Sequence, residues 1–272
     1  MTYTEKMILV TGATDGIGLE TTRQLALQGH EVVLHGRSED KAQRARAEIL
    51  RSAPQARLHT AHADLSDLAA VARMARELNE RLPKLDVLIN NAGVYLTEPQ
   101  LSKDGYEMTW AVNHLAHFLL TLRLLPLLKK SAEPRVVTVS SMVHSSGRLP
   151  LSELRSTAHY EGYQAYANSK LANALFAREL ARREPWLASN SLHPGVIGTK
   201  LLHAAFSMPG SAVSEGARTS VMLATAAEVK GISGKYFDDC RVAKAASSVN
   251  DEALARQLWD WSEQAVQRWL AG

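Results

Sequence analysis

The sequence predicts an α/β chain forming one domain over residues 1–272, a doubly wound parallel sheet flanked by helices on both faces. Three observations carry that expectation. Short apolar runs alternate with helical patterns of ten to fifteen residues, the order that specifies a parallel sheet with right-handed crossovers. The first run ends in a glycine-rich turn that opens a helix. Later runs deliver polar residues at their carboxyl ends, where ligands bind on such sheets.

Residues 6–11 (KMILVT) read as the first strand and lead into Gly12-Ala-Thr-Asp-Gly16-Ile-Gly18. Ile17, Thr21, Leu25 and Gln28 then recur at about one helical turn. Strand, glycine turn and helix are the first unit of a dinucleotide-binding, Rossmann-type fold. The glycines let the backbone approach a pyrophosphate, which rests on the free N–H groups of the helix start. The spacing is G-x-x-x-G-x-G rather than G-x-G-x-x-G, and taken alone it also fits a plain loop.

Residues 31–35 (EVVLH) are the second strand, ending at Gly36-Arg37-Ser38. Dinucleotide folds place an acid here for the ribose 2′-OH. This chain has Gly36 and then Arg37, whose guanidinium pairs bidentately with a 2′-phosphate. Arg37 therefore favours NADP(H), with NAD(H) the alternative and a solvated loop arginine the plain reading. Asp15, in the glycine turn, carries a charge that would oppose a phosphate placed near it.

Residues 40–51 are helical, 57–62 (RLHTAH) a strand, and 67–81 a helix capped by Ser66 or Asp67. Asp64, after the third strand, either meets an adenine amino group or caps a turn. Residues 86–90 (DVLIN) are the fourth strand and run into Asn90-Asn91-Ala92-Gly93. A long helix over 104–128 carries Asn113 among apolar neighbours, where an amide needs a partner: a local carbonyl, or a water-linked group such as Lys170. His114 and His117 stand three apart without an acidic or cysteine companion, so packing or surface positions are expected and no metal.

Arg135–Val139 is the fifth strand and delivers Ser140-Ser141, either substrate-facing or simply strand-ending. Residues 142–164 form a polar loop with short helical pieces, and loops of that length are usually functional. A helix then runs to about residue 183, and after Trp186 comes a strand-like segment leading to His193-Pro-Gly-Val-Ile-Gly-Thr199. Residues 201–216 read as a flap, 215–227 as a helix and 233–238 (SGKYFD) as a last strand. A C-terminal helix is expected to pack through Leu254, Leu258, Trp261, Ala265 and Trp269.

Composition bounds the rest. Lys+Arg at 31 against Asp+Glu at 28 leave a net charge of +3. The charges are interspersed, with no basic block suited to nucleic acid. The single cysteine, Cys240, excludes an internal disulfide. No apolar run reaches the roughly 18 residues of a membrane span. The strand-like start leaves no room for a signal peptide. A soluble, cytoplasmic protein is the expectation.

The chemistry converges on Tyr166-Ala167-Asn168-Ser169-Lys170. Residues four apart share a helix face, so Tyr166 and Lys170 point into one pocket. A phenol titrates near pH 10, and a cation beside it stabilises the phenolate and fits it for proton exchange with a hydroxyl or carbonyl.

Taken together, these residues resemble the short-chain dehydrogenase/reductase family over nearly the whole length. The likeness rests on Thr11-Gly-Ala-Thr-Asp-Gly-Ile-Gly18, Asp64, Asn90-Asn-Ala-Gly93, Asn113, Ser141, Tyr166 with Lys170, and Pro194-Gly195. Asn113-His-Leu-Ala-His-Phe-Leu-Leu-Thr121, Tyr166-Ala-Asn-Ser-Lys-Leu-Ala-Asn173 and Ser233-Gly-Lys-Tyr-Phe-Asp-Asp-Cys240 resemble its retinol-dehydrogenase-like branch.

The resemblance implies an oxidoreductase interconverting a small apolar alcohol and its aldehyde or ketone. Tyr166 would be the acid/base, Lys170 its pKa-lowering and ribose-binding partner, and Ser141 the holder of the substrate oxygen. Asn113 would order a relay water. The implied cofactor residues are Gly12, Thr14, Asp15, Gly16, Ile17 and Gly18 in the turn, then Arg37, Asp64 and Leu65. Asn90, Ala92 and Gly93 follow by the ribose, and Pro194, Gly195, Val196 and Thr199 by the nicotinamide amide. A homodimer or homotetramer paired through the long central helices is likewise implied. Competing readings are an NADP(H)-binding sensor without catalysis, an NAD(H)-preferring dehydrogenase, or a different reaction such as epimerisation on the same fold.

Overall fold

A computed structural model describes residues 5–206 and 208–270. Ser207, inside the expected flap, lies outside the described residues. Eight strands form one sheet in the order β3-β2-β1-β4-β5-β6-β7-β8. They are β1 (Met7–Val10), β2 (Glu31–Gly36), β3 (Leu58–His62), β4 (Val87–Asn90), β5 (Arg135–Val139), β6 (Ala188–His193), β7 (Tyr236–Asp238) and β8 (Arg241–Ala243). All pairings from β3 to β7 are parallel. The β7–β8 hairpin, which the sequence analysis did not anticipate, is antiparallel.

The chain runs outward through β1, β2 and β3, then returns to place β4 on the other side of β1. The strand order therefore reverses between β1 and β4, and a crevice opens beyond their carboxyl ends. Alternate residues of β1 serve opposite faces. Met7 and Leu9 join one core, and Ile8 and Val10 the other. The second core is closed by α1 (Gly16–Leu27), α2 (Glu39–Ser52) and, from late in the chain, α8 (Val213–Thr225). The first is closed by α3 (Leu68–Arg81), the long central helix, α6 (Gly162–Arg183) and α9 (Glu252–Val266). A short helix, α7 (Lys200–Ala205), precedes α8.

Helix starts follow the caps. Asp15, Ser38 and Asp67 each accept an N–H of the helix they precede, satisfying a donor that would otherwise be unpaired. Capping also moves the start of the long central helix. The expected start near residue 104 becomes Met108, because Glu107 is the cap and accepts the N–H groups of Thr109 and Trp110, each at 2.7 Å. Asp104 instead accepts the Leu68 N–H at the head of α3 at 2.9 Å. The long helix comprises α4 (Met108–Trp110), a π-helical turn (Ala111–Leu115) and α5 (Ala116–Leu128). Its whole length, Met108–Leu128, is long and apolar enough to cross a membrane, but 78% of its most apolar window is buried inside this fold.

The C-terminal helix buries a face rotated from the expected one. Ala255, Leu258, Trp259, Ser262 and Val266 are the buried residues, whereas Leu254, Trp261, Ala265 and Trp269 pack at its margin. Trp259 meets Phe118 of α5 at 4.9 Å between ring centroids and Phe176 of α6 at 6.0 Å. α9 thus lies over the face of α5 and α6 that carries Phe118 and Phe176. The expected flap holds α7 and the first turn of α8.

Candidate active site

The crevice at the strand reversal is a cleft of about 1630 Å³, lined from the glycine turn at one end to Phe206 and Met208 at the other. Its floor is set by close backbone packing. A Cβ on Gly18 would stand 2.2 Å from the Gly12 carbonyl oxygen, and one on Gly12 would stand 2.8 Å from Ala92 Cα. Gly12 and Gly16 also hold positive φ angles of 64° and 52°, which glycine adopts without strain. The turn therefore lies directly against the segment after β4.

Two buried histidines that the sequence analysis did not assign to the site hold this contact. His35 accepts the Gly12 N–H at Nδ1 (3.1 Å), so its Nε2–H donates to the Ala63 carbonyl (3.1 Å). His117 donates from Nδ1 to the Asn113 carbonyl (3.0 Å), which leaves Nε2 to accept from the Thr11 hydroxyl (2.9 Å). The Thr11 oxygen in turn accepts the N–H groups of Asn91 and Ala92 at 2.9 and 3.0 Å. Burial keeps both rings neutral, lowering His35 to about 4 and His117 to about 3. His114 turns away and meets Ser262 at 2.8 Å, so the two histidines of the long helix share no ligand position.

The structure brings most of the expected cofactor residues together. Gly12, Thr14, Asp15, Gly16, Ile17, Gly18, Arg37, Asp64, Leu65, Ala92 and Gly93 line the cleft, as do Pro194, Gly195, Val196 and Thr199. Asn90 does not. It is fully buried and donates to Thr121 of α5 at 3.0 Å. The pleat turns Asn90 inward and the next residue, Asn91, towards the cleft, where its amide donates to the Thr11 carbonyl at 2.8 Å. Asp64 performs the turn-capping alternative, accepting from the Ser66 N–H and hydroxyl. Its other oxygen lies 3.8 Å from Arg37 Nε.

Asn113 occupies the π-helical turn but lies beneath the cleft rather than in its wall. Its Oδ1 accepts the Val94 N–H at 2.8 Å, and its Nδ2 donates to the Val94 carbonyl and Ser169 Oγ, both at 3.0 Å. Asn113 thus partners not a local carbonyl of the helix, as one expectation has it, but the backbone of Val94, 19 residues earlier, and the Ser169 hydroxyl. Through Val94 it anchors the chain just beyond Gly93. A Cβ on Gly93 would lie 3.5 Å from both Asn113 Oδ1 and Lys170 Nζ, so glycine keeps open the space between them.

Ser140 and Ser141 divide their tasks. Ser140 is buried and donates to the Lys170 carbonyl at 2.7 Å. Ser141 caps the short helix Met142–Ser146, accepting the Val143 N–H at 3.4 Å, and faces the cleft. Tyr166 and Lys170, one turn apart on α6, both reach the same wall, with Nζ 5.3 Å from the Tyr166 ring centroid. Lys170 Nζ donates to the Val139 carbonyl at 3.2 Å. Burial raises the Tyr166 phenol above its usual value and lowers Lys170 to about 8. Loss of hydration is the cause of both shifts, and the expected lowering of the phenol by Lys170 is not seen.

Beyond Tyr166 the cleft becomes apolar, with Met142, Val143, Leu202, Phe206 and Met208 in its wall. Tyr95 packs edge-on to Tyr166 with centroids 5.7 Å apart, and Phe206 stands 6.2 Å behind Tyr95. Among the described residues no group of three His, Cys, Asp or Glu side chains is placed to hold a metal ion.

Comparison with known proteins agrees with this geometry. A family model described as short chain dehydrogenase matches residues 6–210. Human retinol dehydrogenase 14 is 39% identical over 293 aligned residues, covering 96% of this chain and 86% of its own. Mouse retinol dehydrogenase 12 is 38% identical, with 94% and 85% covered. A crystal structure from Mycobacterium paratuberculosis superposes with a TM-score of 0.81 at 32% identity, covering 96% of this chain and 93% of that one. A short-chain dehydrogenase from Escherichia coli CFT073, complexed with NADPH, superposes at 0.72 with 26% identity, covering 88% and 98%.

Proposed function

The chain belongs to the short-chain dehydrogenase family of oxidoreductases, and on that premise we propose that it reduces an apolar aldehyde or ketone with NADPH, or runs the reverse oxidation with NADP. The observation that carries the reading is the convergence of Ser141, Tyr166 and Lys170 on one wall of a cleft whose far end is the glycine turn.

The donor set suits a nicotinamide dinucleotide. The head of α1 offers free N–H groups to a pyrophosphate. Gly16 would bring a Cβ within 3.4 Å of Thr199 Cγ2, so its bare Cα keeps the passage between turn and opposite wall open. Arg37 at the end of β2 offers a guanidinium to a 2′-phosphate, and the NADPH-bound relative lends weight to that choice. When bound, the nicotinamide supplies the hydride.

The chain's residues do the remaining work. Tyr166, held protonated by burial, donates its proton to the substrate oxygen as negative charge develops there. Ser141 donates a second hydrogen bond to the same oxygen. Lys170 stands next to the phenol and stabilises the phenolate left behind. The aromatic and methionine wall excludes water and selects apolar substrates. A cytoplasmic location is part of this reading, and the long apolar helix, buried inside the domain, is a core helix rather than a membrane span in it.

The test is loss of reduced-cofactor absorbance with NADPH and with NADH over a panel of apolar aldehydes and ketones, with Tyr166→Phe as control. Turnover with NADPH that Tyr166→Phe abolishes is expected. Cofactor binding without turnover across the panel would instead favour a sensor.

A further inference from the structure

The glycine turn contains a charge of the wrong sign for the cofactor proposed above. Asp15 sits one residue from Thr14, whose Cγ2 would be 2.7 Å from a Cβ on Gly36. The turn is therefore packed against the end of β2, next to Arg37. Asp15, Arg37 and Lys41 line the same cleft and the Asp15 carboxylate feels the Lys41 charge, so a 2′-phosphate bound by Arg37 and Lys41 would share that field with a like charge and be repelled by it.

The structure supplies the counter-charge from far along the chain. Lys200, the first residue of α7, places Nζ 2.5 Å from Asp15 Oδ2 across a sequence separation of 185 residues. The other carboxylate oxygen is engaged locally, accepting the Gly16 N–H at 2.9 Å as the cap of α1. Lys41, near the start of α2, adds positive charge from the adenosine side and also lines the cleft. The Asp15 carboxyl is held below its ordinary pKa, first by the Lys200 hydrogen bond.

We propose that Lys200 is a cofactor-specificity residue, cancelling the Asp15 charge so that Arg37 and Lys41 can accept a 2′-phosphate. The proposal rests on the NADP(H) reading and names the residue that makes it compatible with an acidic glycine turn. It does not depend on the bridge as a stabilising contact. Both side chains are largely exposed, and exposed pairs contribute little to folding. What matters is where the positive charge is tethered: above the turn, at the start of the helix that follows the 194–199 wall.

The test measures binding rather than turnover. Dissociation constants for NADPH and NADH are taken by tryptophan-fluorescence quenching at low ionic strength, where such effects are least screened. The proteins are wild type, Lys200→Ala, Asp15→Asn, the double variant and Arg37→Ala. Both cofactors carry the pyrophosphate and only NADPH carries the 2′-phosphate, so their ratio isolates the charge in question. Lys200→Ala is expected to reduce the preference for NADPH by about three- to tenfold. The double variant is expected to restore it, because Asn still caps α1 but carries no charge. Equal weakening of both cofactors by Lys200→Ala, or no recovery in the double variant, overturns the proposal while leaving the NADP(H) reading in place. A wild type that binds both cofactors alike and is indifferent to Arg37→Ala overturns the reading itself, and the proposal with it.

Discussion

Lys170 Nζ lies 5.3 Å from the Tyr166 ring centroid, and both groups are withdrawn from water on the same turn of α6. The pair is costly to bury, and its ammonium is held in place by the sheet. Val139, at the end of β5, receives both Lys170 Nζ at 3.2 Å and Asn173 Nδ2 at 3.1 Å.

Replacing Lys170 by Met is expected to stabilise the fold while disabling the enzyme. The Lys170 pKa falls from 10.5 in the unfolded chain to about 8 in the folded one. Between those values the unfolded state binds more protons, so folding stability rises with pH across that window. Below about pH 8 the folded protein carries the full cost of the buried charge, about 3 kcal/mol for such a shift. Val139 keeps Asn173 as a donor, so Lys170→Met leaves no orphaned carbonyl. Urea denaturation should show the variant ahead at pH 7 and losing that lead towards pH 10. Turnover should fall by about 10²–10⁴.

The neutral histidines predict acid sensitivity. Below pH 6.5 the unfolded chain takes up protons that His35 (about 4), His114 (about 3) and His117 (about 3) refuse in the folded state. Stability is therefore complete above pH 6.5 and is lost as pH falls towards 4. His117→Phe should flatten this acid limb in a denaturation series from pH 7 to 4. It should also cost about 1 kcal/mol at pH 7 through the lost ring bonds to Thr11 and Asn113, a modest figure because the Thr11 hydroxyl keeps the Ile89 carbonyl within 3.3 Å.

The adjacent serines should separate cleanly. Ser141→Ala is expected to lower kcat by about 10²-fold, because it removes a donor from the cleft, with only a small fall in melting temperature, because its cap bond to the Val143 N–H is long at 3.4 Å. Ser140→Ala should cost about 1 kcal/mol of stability through the lost Lys170 carbonyl bond. Equal kinetic losses in the two variants would refute this division.

Trp259→Ala should destabilise by about 3–5 kcal/mol in thermal or urea denaturation, since the ring fills the space between Phe118 and Phe176. With α9 in place the face of α5 and α6 is already covered by the chain itself. We expect no self-association through it, and a dimer whose interface mapped to that face by hydrogen exchange would contradict this.

Much of the architecture is legible in the residues alone. β1, β4 and β5 are buried on both faces and so read as nearly unbroken apolar runs, and Asp67 is legible as one of two cap candidates for α3, whereas the caps Asp15 and Ser38 emerge only in the structure. The pairing of Tyr166 with Lys170 follows from the helical repeat by itself. Local periodicity is sufficient wherever the deciding neighbours lie within a turn or a strand.

Tertiary structure decided what periodicity leaves degenerate. Asn90 and Asn91 differ by one residue, and only the pleat and the position of Thr121 determine which faces the cleft. Trp259 and Trp261 are both compatible with an apolar face, and Phe118 with Phe176 selects the first. Thr11, His35 and His117 become site residues only when the glycine turn meets the Asn91–Ala92 backbone. Asp15 finds Lys200 across 185 residues. In each case the partner is distant in sequence, and the interaction exists only once the sheet has brought the two segments together.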